Sequence, residues 1–225
     1  MNSSTTLFMY ALCFGIFFMH TWIGKSNKSN RLFDSHGRPA ADPVSLLGLY
    51  AAGIIWLALI PALFIARSFE DPFFTGIAPS VGWIIVFTLL LAAAVISGAR
   101  LNREIGSCPK GCDIFSKRIL SWFFVLRIVF LCAYELFFRG FVLFDCIEWL
   151  GIPWAVTIST LLTVIIHVFN GKKEMWACIP FGIILCCCCI TIHTVWPAII
   201  LHVALAMTYE TLFIQQLFTK LKTAK

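Results

Sequence analysis

The feature that most constrains this chain is a succession of apolar runs, each about as long as a bilayer is thick. Hydropathy places them near residues 7–24, 44–66, 81–99, 119–138, 153–169, 176–193 and 196–216. A helix needs about 20 apolar residues to cross roughly 30 Å of hydrocarbon, and several of these runs reach that length. With 60% hydrophobic and only 12% charged residues over 225 positions, too little polar surface remains to clothe a water-soluble core of this size. The expectation is an all-α polytopic membrane protein of about seven transmembrane helices, six to eight being compatible. Segment 119–150 carries the uncertainty in that count. It is long for one upright span and short for two, and Gly140 offers a break.

Basic residues set the orientation. Lys25, Lys28, Arg31 and Arg38 occupy the first loop, and Arg100, Arg103, Lys110, Lys117 and Arg118 the third. Lys172 and Lys173 occupy the fifth, and Lys220, Lys222 and Lys225 the tail, so that 14 of the 17 basic residues fall on one side. Arg67, with Glu70 and Asp71, lies on the other side, and Arg127 and Arg139 lie inside spans. Seven spans then put the N-terminus outside and the C-terminus in the cytoplasm, in the cell (inner) membrane. The net charge of +6 is explained by topology, and nucleic acid is not expected as a partner. No internal repeat or linker divides the chain, which reads as one membrane domain over 1–225. Its first part, 1–118, holds helices without motifs, and 119–216 holds the helices that carry chemistry.

The ten cysteines suggest no disulfide framework, because most sit in apolar runs where a thiol packs as a small hydrophobe. Cys108 and Cys112 form a pair in a polar loop, but no second pair or histidine stands at zinc-site spacing. The first run, "LFMYALCFGIFFMHTWIG", lacks a basic lead-in and a small-residue cleavage site, and is expected to be a retained span. Pro197 fits the first turn of its helix, while Pro61 and Pro180 are expected to kink theirs.

Ionisable groups inside spans are costly, and each is a functional candidate until a structural partner is found. They are His20, Arg127, Glu135, Arg139, His167, His202 and Glu210 at the margin of the last span. Glu135 and Arg139 share one helix face in the favourable order, which also suits a simple salt bridge. His167 and His202 add an imidazole from each of two further helices. Together the four can activate water, with a carboxylate as base and imidazoles as acid or oxyanion donors. Two histidines and a glutamate also make zinc an alternative, although the His-Glu-x-x-His helix of zinc proteases is missing. His20 and Arg127 show no companions in the sequence and read as interfacial or snorkelling residues.

Three strings carry a resemblance: "YELFFRG" (134–140), "TLLTVIIH" (160–167) and "TVWPAIILH" (194–202). In order and interval they resemble the motifs of the CAAX protease and bacteriocin-processing (CPBP, or Abi) family, which includes the type II CAAX prenyl endopeptidases. The resemblance covers about 119–206. It implies a glutamic-type intramembrane endopeptidase that acts on a membrane-associated protein or peptide, with no metal cofactor. In that family a motif-one glutamate activates water and the histidines stabilise the tetrahedral intermediate. By position, Glu135 and Arg139 match motif one, His167 motif two and His202 motif three. Tyr134 stands where the family has its first glutamate, Ala206 where motif three has Asn or Asp, and Thr163 where motif two often has Phe. Two readings follow. Either Glu135 is the base and Tyr134 a supporting hydrogen-bond donor, or the scaffold has lost catalysis and serves as a membrane-embedded binding or chaperone-like protein.

Overall fold

The computed structural model describes residues 3–25, 43–64, 76–100, 117–168 and 171–223. Seven helices account for nearly all of them, with no strand among the described residues. In chain order, α1 is Ser3–Lys25. Helix α2 is built of Pro43–Ile54, the π-helical turn Ile55–Leu59 and Ile60–Phe64. Helix α3 is Val81–Arg100. Helix α4 joins Lys117–Glu135, a π-helical Leu136–Val142 and Leu143–Leu150. The last three are α5 Ile152–His167, α6 Lys172–Ile192 and α7 Trp196–Thr223.

Six of these helices are long and apolar enough to cross a membrane, and α5, at 16 residues, is a shorter apolar helix. Segment 119–150 resolves as one continuous 32-residue helix, Ile119–Leu150. Gly140 does not break it but lies in a seven-residue π segment, whose wider turn absorbs a register shift that a plain α-helix could not. The other π turn, Ile55–Leu59, ends two residues before Pro61. There the wider turn accommodates a residue that has no N–H to donate, and the two π segments pack on each other.

In water, helices like these would bury an apolar stripe. Here many large apolar side chains, such as Phe8, Leu63, Ile85, Leu89 and Leu161, face outward, which is the surface a protein offers to lipid. The inner faces show a helical rhythm instead: Tyr10, Cys13 and Phe17 on α1, and Phe123, Phe130, Leu131, Tyr134 and Phe138 on α4. Since lipid is as apolar as leucine, close packing and polar pairs must hold the helices together. Gly98 shows the packing: a Cβ there would stand 2.7 Å from the Leu205 carbonyl oxygen, so only glycine lets α3 approach α7 this closely.

Exposed tryptophans sit at the helix ends. Trp22, Trp122 and Trp176 lie at the ends that the lysine and arginine pattern assigns to the cytoplasm, and Trp154 and Trp196 at the opposite ends. Two such belts are usual at membrane–water boundaries. The basic residues Lys28, Arg31, Arg38, Arg103 and Lys110, the loop pair Cys108 and Cys112, Arg67, Glu70, Asp71 and Lys225 lie outside the described residues.

Candidate active site

The string "ELFFRG" spans the junction at which α4 changes from α to π geometry. Glu135 is the last residue of the α segment, and Arg139 lies within the π turn. Their side chains meet, with Arg139 Nη1 3.2 Å from Glu135 Oε2 and 3.4 Å from Oε1. Both are enclosed, at 1% and 0% exposure. Neighbouring helices make the enclosure possible. Gly182 of α6 leaves room for the guanidinium, since a Cβ there would lie 3.2 Å from both Arg139 Nη2 and Thr160. In the π turn the Phe138 carbonyl accepts the Leu143 N–H. It also accepts the Ser159 hydroxyl of α5 at 2.9 Å, and the Cys186 thiol stands 3.7 Å behind that hydroxyl.

The second component comes from α7. His202 Nδ1 donates to Glu135 Oε1 at 2.5 Å, and the ring is 16% exposed. Phe181 of α6 packs edge-on against the same ring at 5.7 Å between centroids. Glu135 therefore lies between a guanidinium and an imidazole. The Glu135 contact engages His202 through Nδ1 and leaves Nε2 as the ring's second nitrogen.

His167 does not reach Glu135. As the last residue of α5, it turns its Nδ1–H back to the Thr163 carbonyl at 2.9 Å. The ring of Tyr134 packs near-perpendicular against both histidines, with centroids 6.3 Å from His167 and 5.7 Å from His202. The Tyr134 hydroxyl is buried without a hydrogen bond of good geometry. Thr163, close by, spends its own hydroxyl proton on the Ser159 carbonyl. Of the four residues singled out by sequence, three are in direct contact, and the fourth, His167, shares with His202 a contact to the Tyr134 ring.

Arg127, expected from sequence to be an interfacial residue without companions, has a partner in the structure. Arg127 Nε lies 2.9 Å from Glu210 Oε1 on α7, and its guanidinium rests over Tyr50 and Phe130 at 5.2 and 5.8 Å. The column continues along α4: Phe130 to Tyr134 at 6.0 Å, Tyr134 to Phe138 at 4.6 Å, and Arg139 over Phe138 at 5.9 Å. An arginine thus closes each end of an aromatic ladder, and Tyr134 is its middle rung. The missed pairing has a sequence signal. Arg127 precedes Glu135 by eight residues and Glu210 follows His202 by eight, so two antiparallel helices align both pairs at once. His20 is exposed near the end of α1, as an interfacial residue would be.

A carboxylate that holds an imidazole by Nδ1 fixes its tautomer and leaves Nε2 to accept a proton, the orienting arrangement known from hydrolases. Ala206 supplies no side-chain acceptor for His202, and Glu135 takes that part. Among the described residues, no group of three or more His, Cys, Asp or Glu is placed to hold a metal ion.

Residues 116–208 match the family model for type II CAAX prenyl endopeptidases, Rce1-like. No curated protein and no solved structure matches the chain.

Proposed function

On the match of residues 116–208 to the Rce1-like type II CAAX prenyl endopeptidase family, we propose that the chain is an intramembrane endopeptidase of that family whose working pair is Glu135 and His202. The family match supports, at the level of the family, a membrane-embedded protease of the CAAX type with a protein substrate. The finer reading concerns which atoms act. The observation that carries it is the Glu135–His202 contact, made deep in the bundle by two helices whose meeting residues are 67 positions apart.

In this reading Glu135 does not touch water, because its carboxylate is fully enclosed. It holds His202 through Nδ1, and His202 Nε2 takes the proton of the attacking water. Arg139 keeps the carboxylate in place and supplies its counter-charge. His202 Nε2 then returns the water's proton to the leaving amine, while His167, its Nδ1–H spent on Thr163, presents Nε2 as an acceptor that can orient the attacking water. The substrate is a membrane-associated protein or peptide cut near its terminus in the cell membrane.

One observation favours a second reading. The Tyr134 ring packs against both histidines, at the position where the resemblance has the family's first glutamate. A bundle with a ring in place of that acid suits a protein that binds a membrane segment without cutting it.

One experiment separates the two: co-expression with candidate membrane substrates, reading precursor and product by gel. The protease reading expects Glu135→Gln and His202→Gln each to make a precursor accumulate at unchanged protein level. The binding reading expects those variants to change nothing, and Tyr134→Glu to create cleavage that wild type lacks. Processing that persists in both Glu135→Gln and His202→Gln overturns the proposed pair.

A further inference from the structure

Helices α4 and α7 meet through two polar contacts. Glu135 bonds His202, and Arg127 bonds Glu210. On each helix the two positions are eight residues apart, or about 12 Å along the axis. The contacts are therefore rungs of one antiparallel ladder. A slip of either helix by a single turn, about 5.4 Å, would break both together.

Apolar packing specifies such register weakly here, because each helix finds lipid as good a neighbour as another helix. Buried polar pairs are the best-attested devices for fixing register. The Arg127–Glu210 rung is well braced. The guanidinium rests on Tyr50 from α2 and Phe130 from α4. From the other side α3 presses on α7 at Leu205, Thr208 and Tyr209 through the bare face of Gly98. The rung is only 21% and 15% exposed, and it holds three helices at one depth.

We propose that Arg127 and Glu210 are positioning residues: their ion pair sets the register of α4 against α7 and thereby holds His202 on Glu135. Neither touches the reacting atoms. The activity arm of the test rests on the proposed Glu135–His202 chemistry, whereas the distance arm does not.

The test replaces both partners, Arg127→Met with Glu210→Met, so that no orphan charge threatens folding, and compares wild type with Arg127→Lys, which keeps the charge. Spin labels enter as non-natural amino acids at the exposed positions Trp122 on α4 and Gln216 on α7, which leaves the native thiols alone. The full-length protein is measured in lipid nanodiscs. Wild type and Arg127→Lys should give one narrow distance. The double methionine variant should give a broadened distance or one shifted by up to about 5 Å. Its kcat should fall by about 100-fold, as expected for a misplaced catalytic group, with KM changed far less.

A double methionine variant that keeps the wild-type distance overturns the proposal, whether or not the wild type cleaves anything. So does one that loses the distance yet cleaves at the wild-type rate. Absent wild-type cleavage would count against the peptidase reading, and the distance arm would then decide the register role alone.

Discussion

Arg139→Leu tests whether the Glu135–Arg139 pair does more than survive in lipid. With charges 3.2 Å apart, an effective dielectric near 20 gives a gross attraction of about 5 kcal/mol. Most of it offsets the cost of taking both groups out of water, but removing one partner strands the other. Broken buried pairs typically cost about 3–5 kcal/mol. Glu135 keeps its His202 contact, so the lower half of that range is expected. For a chain of this length 3–5 kcal/mol corresponds to a melting temperature lower by roughly 6–20 °C. The double variant Glu135→Leu/Arg139→Leu leaves no stranded charge, and should recover to within about 1 kcal/mol of wild type. The assay is a double-mutant cycle by thermal unfolding in a mild detergent, with cleavage followed in parallel. The proposed function requires the double variant to be stable and inert. If Arg139→Leu costs under about 1 kcal/mol, the enclosure described for this pair is wrong. If the stable double variant still cleaves, the pair is only structural.

Tyr134→Phe should change stability by less than about 1 kcal/mol, because the lost hydroxyl has no well-formed hydrogen bond; Tyr134→Ala should cost about 3–5 kcal/mol by emptying the space beside the histidines, both read by thermal unfolding. Gly98→Val should destabilise the α3–α7 contact by about 1–3 kcal/mol, since a Cβ there would meet the Leu205 carbonyl. A reporter fused to the C-terminus should be protected inside the cell, and one inserted in segment 76–80 should be accessible from outside. The reverse would undo the orientation read from the basic residues.

The helices were legible because apolar length is a one-dimensional property. Runs at 81–99 and 176–193 became α3 and α6 with ends moved by only a few residues. The Glu135–Arg139 contact was legible because both lie on one helix a turn apart. The partner of Arg127 was not, since Glu210 is 83 residues away and only the packing of α4 on α7 joins them. The π turn at Leu136–Val142 was also hidden. Nothing in "LFFRGFV" distinguishes it from an α-helix, and its support, the Ser159 hydroxyl on the Phe138 carbonyl, comes from another helix. Sequence showed that Tyr134 departs from the family's motif. That its ring contacts both histidines is a tertiary fact.

Water attack assisted by His202 and Glu135 is tested most directly by hydrolysis in ¹⁸O-labelled water. Purified full-length protein is reconstituted in liposomes with a membrane-anchored peptide substrate identified by precursor accumulation, and the new C-terminus is weighed by mass spectrometry. The account predicts one ¹⁸O atom per cleavage in wild type. It predicts a rate lower by on the order of 10³–10⁴ in Glu135→Gln, as for other histidines deprived of their orienting carboxylate, and lower still in His202→Gln. Cleavage at wild-type rate in either variant, or product without label, would contradict it.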